Sequence, residues 1–217
     1  MERARKLEDK ERRAQEILDA AQALSRQDGW AGCTVAAVAE EAGLAKGTVF
    51  LYFPTREALG LALLERELDS WFGEVRTRLL RVRGEQTSAA VARALADTLR
   101  DRRLMIELLS ILGSQLEANI DETTARGFKE RLMARLLLAS AALENAVPHL
   151  GLGGGVRFLL QMDALVIGLW QMSSPAPVVA RLLEEPHLKP MKVEFARELT
   201  IGLRALLDGS IHERKSS

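Results

Sequence analysis

Apolar residues recur at three- and four-residue intervals along most of the 217-residue chain, and no alternating strand pattern persists. This pattern predicts an all-helical protein. The first apolar stripe indicates a helix over residues 12–26 that ends before Gly29, a residue suited to closing a helix. A longer stripe predicts one helix of nearly thirty residues between Thr55 and Gly84. At roughly 1.5 Å per residue this helix spans about 40 Å, so it must leave a small N-terminal head and enter whatever follows.

The stretch Thr34–Arg56 has the pattern of two short helices separated by a tight turn. Thr34 is a suitable N-cap, because its hydroxyl can accept a hydrogen bond from an amide in the first helical turn. A helix-turn-helix also needs a small residue where its helices cross, a glycine in the turn and an apolar plug on the second helix. Ala39, Gly43 and Val49 stand at these positions.

The segment Ile17–Leu59 resembles the N-terminal domain of TetR-family transcriptional regulators. It contains a glycine-aromatic pair ahead of Thr34, an A-x-x-A-G turn, a K-G-T start to the second helix and a Y-F-P ending. Three positions depart from the family pattern: Phe50 stands where a tyrosine is usual, Ala45 where serine is frequent, and Arg56 where lysine is usual. The first two departures each remove a hydroxyl that could hold a phosphate.

The resemblance implies that the second helix, expected from about Ala45 to Tyr52, enters the major groove of DNA. Lys46 could donate to a guanine or meet a phosphate, Gly47 would let the backbone approach, and Thr48 could contact a base edge or a thymine methyl. Phe50 could touch a thymine methyl or a sugar. Tyr52, Arg56 and the end of the helix capped by Thr34 lie where phosphate contacts fall in the family. The alternative for Tyr52 is a core ring with a solvated hydroxyl. The predicted DNA-binding set is Thr34, Lys46, Gly47, Thr48, Phe50, Tyr52 and Arg56.

The charge distribution gives partial support to DNA binding. The chain has no net charge, and residues 1–57 carry nine Lys or Arg against ten Asp or Glu. From Leu44 to Arg56, however, there are two cations and no acid, and the first thirteen residues carry six cations against four acids. Low overall charge lowers nonspecific affinity without excluding sequence-specific binding. Residues 1–11 have two open interpretations, a solvated helical extension or an arm that follows the DNA backbone.

The predicted organisation is a three-helix DNA-binding domain at residues 12–57, joined by the long helix to a larger helical domain at residues 58–213. The last two long helices, expected near 156–172 and 190–207, are the candidates for self-association. Residues 158–172 are apolar around much of their circumference and therefore need cover on several sides. By resemblance the protein is a homodimer, and the alternative is a large monomeric core. The predicted interface residues are Phe158, Leu165, Val166, Leu169, Leu199, Leu203 and Leu206.

By the family's pattern, the second domain should also hold a small-molecule effector. Aromatic and methionine side chains form adaptable apolar walls, which suit a hydrophobic ligand. For any single residue, an ordinary core position is the alternative. The predicted pocket residues are Trp71, Met105, Leu109, Leu112, Phe128, Met133, Met162 and Trp170.

Other classes of protein have little support in the sequence. The three histidines are scattered without ligand spacing, and no nucleophile has an obvious base, so neither a metal site, a cofactor nor an enzyme is expected. The longest apolar run is far shorter than the roughly 20 residues of a membrane span, and no signal peptide is recognisable. Cys33 is the single cysteine, which favours a cytoplasmic location and inert packing over a redox switch.

The expected function is therefore that of a ligand-responsive transcriptional regulator, most simply a repressor, which binds a palindromic operator in double-stranded DNA. The alternative is an all-helical ligand-binding or scaffold protein whose head does not bind DNA productively.

Overall fold

A computed structural model describes residues 2–82 and 88–215, and within these ranges every regular element is helical. The all-helical prediction is confirmed. The α-helices are α1 (Glu2–Gly32), α2 (Val35–Glu41), α3 (Lys46–Tyr52), α4 (Arg56–Arg81), α5 (Ser88–Asp97), α6 (Arg103–Ser110), α7 (Glu122–Ala146), α8 (Gly154–Ser173), α9 (Pro177–Leu182) and α10 (Phe195–Lys215). The predicted stop of the long helix at Gly84 lies outside the described residues.

The chain forms two compact units, which are described separately. The first consists of Met1–Leu68 and Glu107–Lys129, and the second of Asp69–Ile106 and Glu130–Ser217. Helices α4, α6 and α7 each contribute residues to both units. The domain limits predicted from the sequence, 12–57 and 58–213, stay a prediction.

In the first unit, α1 is longer than its apolar stripe, because it continues toward the N-terminus through charged residues. Near its C-terminal end the helix is kinked at Gly29, whose backbone has φ 69° and ψ −179°. A positive φ of this kind is inexpensive only for glycine. Ile17 and Ala21 of α1 are fully buried and pack with the rest of the unit's core, which includes Leu59 and Phe128.

Trp30 connects the end of α1 to two other parts of the first unit. A Cβ atom at Gly60 of α4 would lie 2.7 Å from the Trp30 ring and 3.0 Å from Leu116. The tryptophan therefore lies directly against the backbone of α4. Its own backbone N–H donates to Glu107 Oε2 at 3.2 Å, which ties α6 to the same place.

The sequence suggests one helix over 104–117, and the structure divides it. α6 ends at Ser110, and a π-helix follows at Leu112–Leu116. The amide of Leu116 donates to the carbonyl of Ile111 at 3.2 Å, five residues back. The wider turn changes the direction of the following side chains, and Leu116 is buried beside Trp30 and Gly60.

In the second unit, α10 packs against α5 and α8. Leu199, Leu203 and Leu207 supply its buried face. Helices α7 and α8 approach closely at Gly155, where a Cβ atom would lie 2.8 Å from the carbonyl oxygen of Ser140. Within the described ranges, no helix is long and apolar enough to cross a membrane.

Candidate functional site

Helices α2 and α3 are joined by a turn with the geometry of a helix-turn-helix. The Thr34 hydroxyl accepts a hydrogen bond from the Ala37 amide at 3.2 Å and so caps α2. Gly43 has φ 64°, and the amide of the next residue donates to the Ala39 carbonyl at 2.8 Å. Ala39 and Val49 are buried at the helix crossing. The predicted helix-turn-helix is confirmed.

Helix α3 presents most of its residues to solvent. Val49 is its buried residue, and Thr48 and Tyr52 are half-buried. Lys46, Gly47, Phe50 and Leu51 are exposed. The Lys46 ammonium lies 5.8 Å from the centroid of the Phe50 ring, one helical turn away. The exposed face of α3 thus combines a cation, a position without a side chain and apolar surface.

The DNA-binding set predicted from the sequence does not include Leu51, although this residue lies on the exposed face of α3. Its side chain is 80% exposed, the largest exposure among the apolar residues of α3, compared with 39% for Phe50. The signal that could have found it is helical phase. At 100° per residue, Leu51 lies nearly opposite the buried Val49 and on the same side as Gly47.

Arg56 lies at the junction of α4 with the link between α1 and α2. Its guanidinium is 4.7 Å from the centroid of the Trp30 ring and donates to the carbonyl oxygens of Trp30 at 2.5 Å and Cys33 at 2.9 Å. These carbonyls follow the kink at Gly29. Arg56 and Thr34 therefore have structural partners in the head, and their contacts with DNA stay a prediction.

Cys33 belongs to the same link, and its side chain is buried. Its thiol lies 3.7 Å from the carbonyl oxygen of Ala21, which also accepts a hydrogen bond from the Ser25 hydroxyl. Burial raises the pKa of the Cys33 thiol, and the neighbouring Ser25 and Arg56 offset only part of that effect. A raised pKa disfavours the thiolate, which is the reactive form. The environment therefore favours packing over redox sensing.

The predicted effector residues are distributed over both units. Within the first, Leu109 and Leu112 are half-buried and Phe128 is buried. Within the second, Trp71, Met105 and Met162 are buried, Trp170 is half-buried and Met133 is exposed. The Trp71 indole N–H donates to Thr98 Oγ1 at 2.8 Å. The rings of Trp170 and Phe195 meet edge to face at 5.8 Å.

A cavity of about 160 Å³ opens at the end of α8 and beside α9. It is lined by Met172, Ser173, Pro175, Ala180, Leu183, Glu184, Lys192 and Val193. None of the predicted effector residues lines this cavity, and the assignment of those residues stays a prediction.

The predicted dimer residues differ in exposure. Four pack inside the second unit and are buried, namely Phe158, Val166, Leu199 and Leu203. Leu165, Leu169 and Leu206 are half-buried. Gly202, where a Cβ atom would lie 3.1 Å from Leu165 Cδ1, brings α10 close to α8 of its own chain. Among residues 154–173 and 195–210 of these two helices, the large apolar side chains that are exposed are Leu160, Met172 and Ile201.

In the described part of the chain, no group of three or more His, Cys, Asp or Glu side chains could hold a metal ion.

A capped helix-turn-helix with an exposed second helix, followed by a larger set of helices, defines a DNA-binding regulator of the helix-turn-helix class. The sequence model described as "Bacterial regulatory proteins, tetR family" matches residues 17–63. A second model, "Tetracyclin repressor-like, C-terminal domain", matches residues 65–214. The chain belongs to the TetR family and is a transcriptional regulator.

Solved structures show the same fold across nearly the whole chain. A TetR-family regulator from Mesorhizobium loti MAFF303099 is 19% identical, with a TM-score of 0.55 over 94% of this chain and 96% of that one. The reduced form of Escherichia coli NemR is also 19% identical, with a TM-score of 0.53 over 88% and 94%. FadR of Bacillus subtilis, complexed with stearoyl-CoA, is 18% identical, with a TM-score of 0.51 over 89% and 96%. No curated protein sequence matches the chain.

Proposed function

We propose that this regulator binds a palindromic operator as a homodimer and represses transcription until a small hydrophobic effector releases it. The observation that carries the proposal is the exposed face of α3. Lys46, Gly47 and Phe50 are solvent-accessible there, and no acidic residue occurs between Leu44 and Arg56. A helix without acids, placed second in a helix-turn-helix, suits the major groove, where base edges are read between two rows of phosphates.

Each predicted contact has a distinct role in this proposal. Lys46 donates to a guanine or a phosphate, and Thr48 meets a base edge. Gly47 allows close approach of the backbone, since a Cβ atom there would meet nothing within 4 Å. Tyr52 donates to a phosphate from the end of α3. Arg56 contributes by holding the α1–α2 link, and its remaining donor capacity is available to a phosphate.

The homodimer follows from the geometry of a palindrome. Two recognition helices read successive half-sites when they are held about 34–36 Å apart, one turn of DNA. The exposed apolar residues of α8 and α10 supply the surface for this association. The half-buried Leu165, Leu169 and Leu206 lie on the same two helices and can contribute at its edges.

The effector is proposed to be hydrophobic because the candidate residues are apolar and largely withdrawn from solvent. The FadR structure, which contains stearoyl-CoA, supports this choice as an example of the same fold with an acyl ligand. An effector that binds the DNA-competent state less tightly shifts the population away from it. Typical coupling of this kind is about 1–3 kcal/mol.

The proposal is tested by selecting genomic fragments that bind the purified protein and then footprinting the site. Lys46→Ala and Tyr52→Ala are expected to weaken operator binding in a gel-shift assay, while circular dichroism shows that both variants remain folded. Lys189→Ala is the control, because it removes a positive charge from an exposed turn, Lys189–Met191, outside the helix-turn-helix.

Unchanged affinity in both α3 variants would overturn the assignment of these residues. If the wild-type protein showed no salt-dependent DNA binding at all, the alternative of a helical ligand-binding or scaffold protein would replace the proposal.

A further inference from the structure

We propose that Leu51 determines part of the operator sequence by contacting the 5-methyl group of a thymine in the major groove. The inference rests on the DNA binding proposed above. It goes further by naming a side chain outside the predicted set and the chemical group that this side chain reads.

The first observation is the distribution of exposed apolar side chains in the first unit. Within its described residues, Phe50 and Leu51 are the large apolar side chains left exposed, and both lie on α3. Burying a leucine side chain stabilises a fold, and Leu51 does not make this contribution within its own unit. The rest of the unit buries its leucines and aromatics well, as at Leu59, Trp30 and Phe128.

The second observation is the position of Leu51 relative to Gly47. Helical side chains lean toward the N-terminus, so the surface that a residue covers lies over the preceding turn. For Leu51 that turn contains Gly47, which has no side chain and open space around its Cβ position. Leu51 and the open surface at Gly47 therefore lie on the same side of α3, opposite Val49, the buried residue of the helix.

The chemistry of the major groove then identifies the group that Leu51 contacts. A leucine can neither donate nor accept a hydrogen bond, so it cannot read the polar edges of the bases. The methyl group at C5 of thymine is the apolar feature that the groove offers, and cytosine lacks it. The open surface at Gly47 provides room for that methyl group beside the leucine side chain. Lys46 flanks the contact and can hold a neighbouring guanine or phosphate.

The test replaces thymines of the selected operator with deoxyuridine, one position per half-site at a time. Deoxyuridine keeps every hydrogen-bonding group and removes only the 5-methyl. For the wild-type protein, we expect one position at which this change lowers affinity about three- to tenfold, as expected for losing roughly one buried methyl contact. Leu51→Ala should bind the unmodified operator more weakly and show no deoxyuridine effect at that position.

The matched control is Leu80→Ala, which truncates a leucine near the C-terminal end of the long helix α4. Leu80 is 68% exposed. This variant should keep the wild-type response to deoxyuridine. Thermal unfolding of Leu51→Ala should equal that of the wild type, because an 80% exposed side chain contributes little to packing.

The inference is overturned if Leu51→Ala retains the same deoxyuridine penalty as the wild type, or if no thymine position responds in the wild type. In both cases the wild-type protein still selects an operator, and the proposed function stands. If the wild-type protein selects no DNA sequence, the proposed function and this inference fall together.

Discussion

Gly155 lies at the start of α8, where that helix meets α7. Its amide donates to Glu144 at 3.0 Å, and the same carboxylate accepts a hydrogen bond from Ser140 Oγ at 2.8 Å. An added Cβ atom would lie 2.5 Å from Ser140 Oγ and 2.8 Å from the Ser140 carbonyl oxygen. The hydroxyl could rotate, but the carbonyl belongs to the backbone of a long helix and cannot. The contact therefore requires glycine.

Gly155→Ala is expected to lower the free energy of unfolding by about 1–3 kcal/mol, the usual cost of forcing extra volume into a packed interior. Urea-induced unfolding followed by circular dichroism measures the change. The matched control is Gly73→Ala in the interior of α4, where an added Cβ atom meets nothing within 4 Å. There alanine should raise stability by about 0.5–1 kcal/mol, since it is the better helix former. Equal shifts in the two variants would contradict the close approach of α7 and α8.

The Cys33 thiol should resist modification in the folded protein. Burial raises its pKa, so the folded state favours the protonated thiol. By linkage, the associated stability is fully present below the pKa of the unfolded thiol, about 8.5, and is lost as the pH rises through the higher folded value. At pH 7.5, labelling of the native protein by a maleimide should be many times slower than labelling in urea. Because Cys33 is the single cysteine, the readout is unambiguous. Equal rates in the two conditions would show that the thiol is accessible.

At the scale of elements, the link between α1 and α2 depends on Arg56. At the end of α1 the Trp30 carbonyl accepts a hydrogen bond from the Cys33 amide at 3.1 Å, and the Arg56 guanidinium donates to both the Trp30 and the Cys33 carbonyls while it stacks on the Trp30 ring. A lysine has the charge but lacks the planar fork that makes these contacts together.

Arg56→Lys is therefore expected to destabilise the protein by about 1–2 kcal/mol, measured by urea unfolding, even though lysine is usual at this position in the family. Arg100→Lys is the control, because Arg100 is exposed and pairs with Asp97 three residues away. An unchanged unfolding midpoint for Arg56→Lys would mean that the charge alone matters, as in a simple phosphate contact.

Local signals explain which elements the sequence predicts well. Thr34 caps α2 and Gly43 closes it. Both effects can be predicted because each depends on neighbouring residues only. The end of α7, at Ala146, also has a local cause, since Pro148 follows just beyond it. Local signals predict the start of a helix less reliably where helix-breaking residues lie close together. α10 begins at Phe195 and not at Pro190, because Pro190 belongs to the separate short turn Lys189–Met191.

Other features depend on contacts between distant parts of the chain, which no local pattern encodes. The π-helix at Leu112–Leu116 brings Leu116 against Trp30 and Gly60, more than fifty residues away. The role of Arg56 depends likewise on the carbonyls of Trp30 and Cys33, more than twenty residues away in the chain. On α3, by contrast, helical phase alone distinguishes the exposed Leu51 from the buried Val49. The candidate DNA-binding surface was therefore more predictable than the interior that supports it.

At the scale of the whole molecule, α8 has an exposed surface without charged residues, which is the candidate for the proposed self-association. Beyond Arg157, its exposed positions carry no charge, although solvent-facing helical positions are usually charged or strongly polar. These positions are Leu160, Gln161, Ala164, Gln171 and Met172. α10, which packs beside α8, exposes Ile201 between the charged residues Arg197 and Arg204. A second copy of the chain is the partner that the proposed palindromic operator requires.

The double variant Leu160→Glu/Ile201→Glu should therefore be a monomer in sedimentation velocity at concentrations where the wild type is a dimer. Both side chains are more than half exposed, at 56% and 51%, so the chain itself should still fold. Operator affinity should fall by at least a hundredfold, because each half-site is then bound alone, while a single half-site should bind equally well to both proteins. Leu80→Glu introduces the same charge at an exposed leucine of α4 and should remain a dimer. A double variant that sediments as a dimer would exclude this surface and direct the search to α7, where Met133, Leu137 and Leu138 are also exposed.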